Sequence, residues 1–163
     1  MAIQAATEHL IEFNAENRIR IFDVSSATVE LAALALGVAP ERIAKTLAFR
    51  DDEGALLVVT AGDAKIDNAK FKAHFKMKAR MLNPEETLNK VGHAVGGVCP
   101  FGVKPGCRVY LDVSLRRFET VFPAVGSANS AIELDLIELE QFSKAQAWVD
   151  VCKTATGQEE NHE

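Results

Sequence analysis

Cysteine is scarce in this sequence, and long apolar runs are missing altogether. Its three cysteines, Cys99, Cys107 and Cys152, have spacings that match neither a CxxC pair nor a usual zinc pattern. We therefore expect reduced thiols, no bound metal and no cofactor. No stretch approaches the roughly 20 apolar residues of a membrane span, and the first residues lack the features of a signal peptide. These absences exclude disulfide-rich secreted proteins and membrane-spanning proteins, and they predict a cytoplasmic protein without a membrane partner.

Excess charge is also small. The chain has 163 residues, 48% of them hydrophobic, and a net charge of -5 that is concentrated in the final GQEENHE. A chain of this size can bury its own core, so we predict one domain, residues 1–156, and an acidic disordered tail, residues 157–163.

Residues 64–80 are the exception to the near-neutral body. They hold one carboxylate and six cations, called the basic strip below: Lys65, Lys70, Lys72, Lys76, Lys78 and Arg80. Such a strip is either an anion-binding surface or a solvated helix face.

Hydrophobic spacing and turn residues predict an α/β (α+β) domain with a mixed, mostly antiparallel sheet. The pair 44–50 and 55–61, separated by DDEG, is the clearest hairpin. Predicted helices span 3–15, 28–37, 67–75, 84–90 and 139–144. Predicted strands span 18–24, 44–50, 55–61, 78–82, 108–112, 120–125, 131–135 and 148–151.

Residues 92–106, GHAVGGVCPFGVKPG, hold five of the ten glycines and two of the five prolines. Glycines let successive backbone N–H groups converge on an oxyanion or a phosphate without a charged side chain. The stretch has no GK[ST] and no GxGxxG, so it is neither a Walker loop nor a dinucleotide fingerprint. By pattern alone it is either such a binding loop or an ordinary long connection.

Other candidates for chemistry are isolated residues. Lys45, in IAKTLAF, either meets a phosphate or ester carbonyl or extends to water from a strand edge. The loop GSANSA, residues 126–131, either lines a pocket with neutral hydrogen-bonding groups or serves as a hairpin turn. A lone His93 is more often packed than catalytic, and nothing near Cys99 favours a thiolate. No Ser/His/Asp set is recognisable.

Several segments between residues 19 and 151 occur in the order typical of one family. They are TVELAALALGVAPERIAKTLAFR, LLVVTAGDAKIDNAKF, GHAVGGVCPFG, YLDVSLRRFETVFPAVGS and AIEL. With these segments the chain resembles the YbaK and prolyl-tRNA synthetase associated editing domains, which are free-standing or inserted aminoacyl-tRNA deacylases. The resemblance implies a barrel-like mixed sheet and a pocket for the aminoacyl end of a mischarged tRNA.

The same resemblance implies the site. Lys45 matches the lysine at the family's pocket, and a backbone N–H of Gly97 is a candidate oxyanion donor. Water attack is assisted by the substrate itself, with no metal. The implied partner is the acceptor end of a tRNA, most directly tRNA-Pro. Prolyl-tRNA synthetase is a second implied partner, and DNA is not expected to bind. Implied substrate-binding residues are Phe22, Thr46, Gly96, Cys99, Pro100, Phe101, Gly102, Gly126, Ser127 and Asn129.

The chain departs from the family pattern at three places. Phe22, Asp23 and Val24 stand where many relatives have a Tyr-Glu-His-like run, and Ala131 stands where cysteine-specific editors have an aspartate. Both departures count against cysteine as the edited amino acid. Cys99 stands where serine is common, which keeps the shape of the loop and changes its hydrogen bonding.

The sequence therefore predicts a trans-acting editing hydrolase that acts on a small wrong amino acid such as alanine, serine, threonine or 2-aminobutyrate. A second site is needed because a synthetase pocket discriminates poorly by a methylene. The alternatives are a non-catalytic module of the same fold that binds an aminoacyl-nucleotide or tRNA, and an esterase that acts on small molecules.

Overall fold

A mixed six-stranded sheet forms the centre of the fold, in a computed structural model that describes residues 2–52 and 54–154. The helices are α1 (Ala2–Ile11), α2 (Val29–Leu36), α3 (Asn68–Phe75), α4 (Pro84–Val91) and α5 (Leu136–Ser143). The strands are β1 (Arg20–Ile21), β2 (Ile43–Arg50), β3 (Ala55–Ala61), β4 (Ala64–Ile66), β5 (Cys107–Asp112), β6 (Thr120–Pro123), β7 (Ser130–Ala131), β8 (Leu134–Asp135), β9 (Ala147–Val149) and β10 (Cys152–Thr154). The order across the main sheet is β8-β6-β2-β3-β5-β9.

The hairpin of β2 and β3 is the middle of this sheet, as its apolar runs predict. Its antiparallel register runs from Ala44 opposite Ala61 to Arg50 opposite Ala55. All seven residues of β3 are buried, because elements cover both faces of the strand. Gly54 is required beside the turn, since a Cβ there would overlap the backbone of Gly106.

Local hydrogen bonds explain where the helices begin. The Thr28 hydroxyl accepts from Leu31 N at the start of α2, and Gly37 ends that helix with a φ of 71°. Asp67 caps α3 with its carboxylate. Reciprocal capping boxes of Asn83 with Glu86 and of Asp135 with Glu138 start α4 and α5.

The predicted mixed sheet is confirmed, with one qualification about direction. Four of the seven strand pairings in the described residues are antiparallel, but three of the five in the main sheet are parallel. The parallel pairs join β2 to β6, β3 to β5 and β5 to β9. The two strands of each parallel pair are joined by a long crossover connection, which the turn residues in the sequence do not predict.

Short strands are the least accurate part of the prediction. The predicted strand 18–24 contains only β1, and 78–82 forms a single bridge between Met81 and Phe49. The predicted strand 131–135 is divided between β7 and β8, and the small pair of β4 and β10 is missed. Two or three residues pair through tertiary contacts and leave little periodic signal. The predicted tail, 157–163, lies outside the described residues.

No helix within residues 2–52 and 54–154 has the length and apolar character needed to cross a membrane.

Candidate active site

A pocket of about 210 Å³ lies beside β2. Its walls come from the segment entering α2, from β2 itself, from the glycine stretch and from the region between β6 and β7. Most lining residues are apolar, among them Val29, Ile43 and Phe122. Lys45 is the one charged residue in the described lining, and no Asp, Glu, His or Cys of the described residues joins it. The pocket therefore offers one cation in otherwise neutral surroundings.

Lys45 is half-buried in β2. Its Nζ donates to the Gly62 carbonyl over 3.3 Å, and among the described residues no carboxylate lies within salt-bridge distance of it. Burial is the main cause that lowers the pKa of Lys45, and Lys65 acts in the same direction, whereas Asp63 and Glu30 raise it. An ammonium held this way is able to bind a phosphate or a developing oxyanion.

Two hydroxyl groups in the pocket lack partners in the described structure. Thr46 follows Lys45 on β2, and its Oγ1 is buried without a hydrogen bond. Ser26 is 7% exposed, and its Oγ is also without a hydrogen bond. Sequence reasoning misses Ser26 because the run SSAT is typical of N-cap hydroxyls. Only Thr28 of that run caps α2.

The glycine stretch forms part of the pocket, but only in part as predicted. Gly96 lines the cavity with a φ of 99°, and a Cβ on it would approach Ala27 to 3.2 Å. Gly97 is not among the lining residues, and its N–H already donates to the Ala94 carbonyl at 2.9 Å. A Cβ at Gly97 would lie 2.7–2.8 Å from the backbone of Ser127. The N–H of Gly97 is therefore engaged in a turn, and its small size allows two loops to touch, while a catalytic role for Gly97 stays a prediction.

Cys99, Pro100 and Phe101 are not part of the pocket lining. All three are buried, and Cys99 and Phe101 are fully so. Burial raises the pKa of the Cys99 thiol to about 12, although hydrogen bonding with the backbone of Phe101 and Gly126 acts to lower it. A thiol of this kind is not a nucleophile at neutral pH. Fully buried His93 bonds the Phe101 carbonyl through Nε2 at 2.7 Å, so it also belongs to the packing.

Two further predicted glycines contact the N-terminal helix. Gly102 N donates to His9 Nδ1 at 2.8 Å, and a Cβ on Gly102 would overlap the backbone of Ala5. A Cβ on Gly126 would lie 2.6 Å from the Ala2 carbonyl oxygen. Both residues lie outside the pocket lining. Because neither has a Cβ, they let α1 pack closely against the two loops that form the pocket.

Phe22, Ser127 and Asn129 connect two walls of the pocket without lining it. Phe22 N donates to the Asn129 carbonyl at 2.8 Å, and Asn129 Nδ2 donates to the Phe22 carbonyl at 3.1 Å. Ser127 Oγ lies 2.9 Å from Asn129 Oδ1 and 2.8 Å from Ser130 Oγ. Of the twelve predicted site residues, the structure brings only Lys45, Thr46 and Gly96 into the pocket lining.

Comparison with known proteins decides the family. Residues 24–142 match the sequence pattern of the aminoacyl-tRNA editing domain. The chain belongs to this aminoacyl-tRNA editing domain family. The resemblance found in the sequence motifs is thereby confirmed.

Relatives of this editing domain occur both alone and within synthetases. The chain is 54% identical over 154 residues to the uncharacterized protein YwhH of Bacillus subtilis (strain 168), and the alignment covers 94% of this chain and 98% of that protein. It is 42% identical over 77 residues to proline–tRNA ligase of Thermotoga sp. (strain RQ2), covering 47% of this chain and 13% of the ligase.

The fold of the editing domain is found in solved structures too. A crystal structure described as that of a candidate trans-editing enzyme for prolyl tRNA synthetase aligns with a TM-score of 0.82 and 26% identity. The alignment covers 92% of this chain and 96% of that one. A YbaK-like mixed α/β fold is therefore confirmed.

Proposed function

We propose that the protein is a trans-acting hydrolase that removes a wrong, small amino acid from tRNA. The observation that supports this most directly is the Lys45 ammonium, the one charge in the described lining of a small pocket in an editing-domain fold. In this proposal the pocket takes the aminoacyl group, and Lys45 binds a phosphate or the carbonyl oxygen as negative charge develops on it. Gly96 holds the glycine stretch against the pocket without a side chain of its own.

The reaction we propose is hydrolysis of the aminoacyl ester. A water oxygen forms a bond to the carbonyl carbon, and the bond from that carbon to the ribose oxygen breaks. One proton of the water passes to the ribose oxygen, which leaves a free amino acid and a tRNA hydroxyl. No histidine or carboxylate of the described residues lines the pocket, so a hydroxyl of the substrate is the group we propose for proton transfer.

The basic strip supports a nucleic-acid partner. All six of its cations are exposed, whereas its one carboxylate, Asp67, is used as the cap of α3. Lys70 also bonds Asp150 over 3.3 Å, so it is less available than the others. The end of the strip runs along β2, where Arg50 N donates to the Arg80 carbonyl at 2.8 Å.

The next two residues after Arg80 line the pocket. They are Met81, which is 57% exposed, and Leu82, whose N–H donates to the Ala48 carbonyl at 3.0 Å. Phosphates bound along the strip would therefore lead to the mouth of the pocket. We propose that the strip contacts the backbone of the acceptor stem, which positions the tRNA without reading its sequence.

The names of the relatives suggest which tRNA this is. Both a proline–tRNA ligase and a candidate trans-editing enzyme for prolyl tRNA synthetase are similar to this chain. We therefore propose tRNA-Pro as the substrate carrier and prolyl-tRNA synthetase as the enzyme whose errors are corrected.

A panel of mischarged tRNAs tests the proposal. The full chain is incubated with tRNA-Pro carrying alanine, serine, threonine, 2-aminobutyrate or cysteine, and the release of free amino acid is followed. We expect at least one ester to be cleaved well above the rate in buffer, and slower cleavage of the same amino acid on an unrelated tRNA. Binding of these tRNAs without cleavage of any of them would instead establish the non-catalytic module.

A further inference from the structure

Among the residues that the structure describes, five hydroxyl side chains line the pocket, and three of them have hydrogen-bond partners within the fold. The Thr28 hydroxyl accepts from Leu31 N at 3.1 Å, and the Thr87 hydroxyl donates to the Asn83 carbonyl at 2.8 Å. Ser130 Oγ accepts from Val125 N and bonds Ser127 Oγ. These three groups hold a helix cap, a helix turn and a loop, so their role in the fold is explained.

The other two hydroxyls, those of Ser26 and Thr46, have no such role in the described structure. Ser26 is fixed by its backbone, since its N–H donates to the Ala128 carbonyl at 2.6 Å. Thr46 is fixed by the β2–β3 ladder, opposite Val59. Both oxygens are buried and unpaired, and both residues line the same cavity. A buried hydroxyl without a partner is unfavourable, and a bound molecule that pairs with it removes that penalty.

The surroundings of these two hydroxyls indicate what kind of group pairs with them. Near the start of α2 the wall is made by Val29, Ala32 and Phe122, which pack together in an apolar cluster. The described lining has no carboxylate that would balance the α-ammonium of an amino acid. A neutral ligand hydroxyl, which both donates and accepts, suits two neutral protein hydroxyls in an apolar wall.

We propose that Ser26 and Thr46 select an aminoacyl group whose side chain carries a hydroxyl. Serine and threonine esters are then cleaved in preference to alanine and 2-aminobutyrate esters. This inference rests on the proposed hydrolysis of mischarged tRNA and adds its amino-acid specificity. A site built to pair a hydroxyl rejects the analogue without it strongly, because the protein groups stay unpaired.

Two matched substrate pairs test the selection. Serine differs from alanine, and threonine from 2-aminobutyrate, by one hydroxyl on the same carbon. Each is loaded on the same tRNA, and kcat/KM for deacylation by the full chain is measured. We expect both hydroxyl-bearing esters to be preferred by at least about tenfold. Equal rates within each pair would overturn the inference and leave the proposed function intact, whereas no cleavage of any ester would count against the proposed function.

Variants then identify the residues responsible. Thr46→Val keeps the shape of the side chain, and Ser26→Ala removes a single oxygen; each is expected to reduce the preference within both pairs by several-fold. Thr46→Ser keeps a hydroxyl and should retain the preference. Thr87→Val removes a pocket hydroxyl that is already bonded, and it should also leave the preference unchanged.

The preference is a ratio measured on one preparation, so partial loss of folded protein does not alter it. A uniform loss of rate on all four esters in Ser26→Ala and Thr46→Val would mean that the hydroxyls contact a part common to all the substrates. That result would overturn the proposed selection.

Discussion

Lys45 is the residue whose side chain matters most for the proposed chemistry. Its ammonium is half-buried, lacks a carboxylate partner in the described residues and has a pKa below its ordinary value because of burial. Lys45→Met keeps an apolar stem of similar length and removes the charge. We expect a loss of about 100-fold in kcat/KM for deacylation, which is the scale of one oxyanion-stabilising group.

The control for Lys45→Met is Lys90→Met, at an exposed position in the last turn of α4. Thermal unfolding should show no loss of stability in Lys45→Met, because the variant removes a desolvated charge. Turnover within twofold of the unaltered protein would remove Lys45 from the mechanism.

Gly97 shows that a conspicuous glycine serves packing as readily as catalysis. Its N–H is bonded to Ala94, and it has no room for a Cβ against Ser127. At Gly37 the constraint is the backbone conformation and not the space for a side chain, since its φ is 71° but a Cβ added to it would meet nothing within 4 Å. Gly37→Ala should therefore cost about 1 kcal/mol in the free energy of unfolding, from backbone strain alone.

Gly97→Ala should cost clearly more than Gly37→Ala, because backbone atoms of two loops must move apart. Urea denaturation of both variants measures the difference. If Gly97→Ala were as stable as Gly37→Ala yet inactive, that result would support the catalytic role that the sequence motifs predict for Gly97.

Among the elements, α1 supports the pocket from outside it. His9 links three parts of the chain: it belongs to α1, its Nδ1 accepts from Gly102 N, and its Nε2 bonds the Phe142 carbonyl at 2.6 Å. These two bonds require a neutral ring with the proton on Nε2. The ring also lies 5.7 Å from that of Phe101, measured between centroids.

Exchanges at His9 test this link. His9→Ala removes both hydrogen bonds and should cost about 2 kcal/mol in the free energy of unfolding. His9→Gln still offers an acceptor and a donor, so a smaller loss is expected, with deacylation reduced less than in the alanine variant. Equal losses in the two variants would mean that ring packing, and not hydrogen bonding, is what α1 requires.

The basic strip is tested through the salt dependence of tRNA binding. Lys72 and Lys78 face a shallow groove between α3 and the segment that follows it. Each phosphate contact contributes roughly 0.7 to 0.9 to the slope of log K against log salt concentration. We expect Lys72→Ala with Lys78→Ala to reduce the slope by between about one and two. Lys144→Ala, outside the strip, should leave it unchanged; an unchanged slope in the double variant would make the strip a solvated surface.

For the whole molecule, one half-buried and one fully buried histidine, His9 and His93, make stability depend on pH. Burial is the main cause that lowers the pKa of His9 and of His93 below their ordinary value of 6.5. Lys144 lowers the pKa of His9 further, whereas Glu12, which pairs with Lys144 over 3.1 Å, raises it. The Sγ of Cys99 lies 3.5 Å from His93 Nε2, and this thiol is neutral because burial raises its pKa.

A lowered pKa in the folded state means that the unfolded chain binds protons first. The contribution of each histidine is therefore complete above pH 6.5 and is lost as the pH falls below it. Urea midpoints measured from about pH 7.5 to about pH 5 should fall, and His9→Gln should fall less steeply. A midpoint that stays constant over that range would show that neither histidine is kept neutral by the fold.

Much of the fold follows from local features of the sequence. The β2–β3 hairpin, the helix between Thr28 and Gly37 and the helix begun by Asn83 are predicted closely, because apolar runs and capping residues act on neighbouring residues. The motifs also predict the family correctly. Strands of two or three residues are not predictable in this way, since their partners are distant in the chain.

The amino-acid sequence by itself determined the family, the central hairpin and Lys45 at its start. Only the tertiary structure decided what GHAVGGVCPFGVKPG does: Gly96 reaches the pocket, whereas Gly97 and Gly102 pack against Ser127 and α1. The same is true of Ser26, whose hydroxyl resembles a helix cap in the sequence and is buried without a partner in the pocket. Glycine and serine serve turns, caps, packing and binding alike, so their role depends on which distant backbone lies beside them.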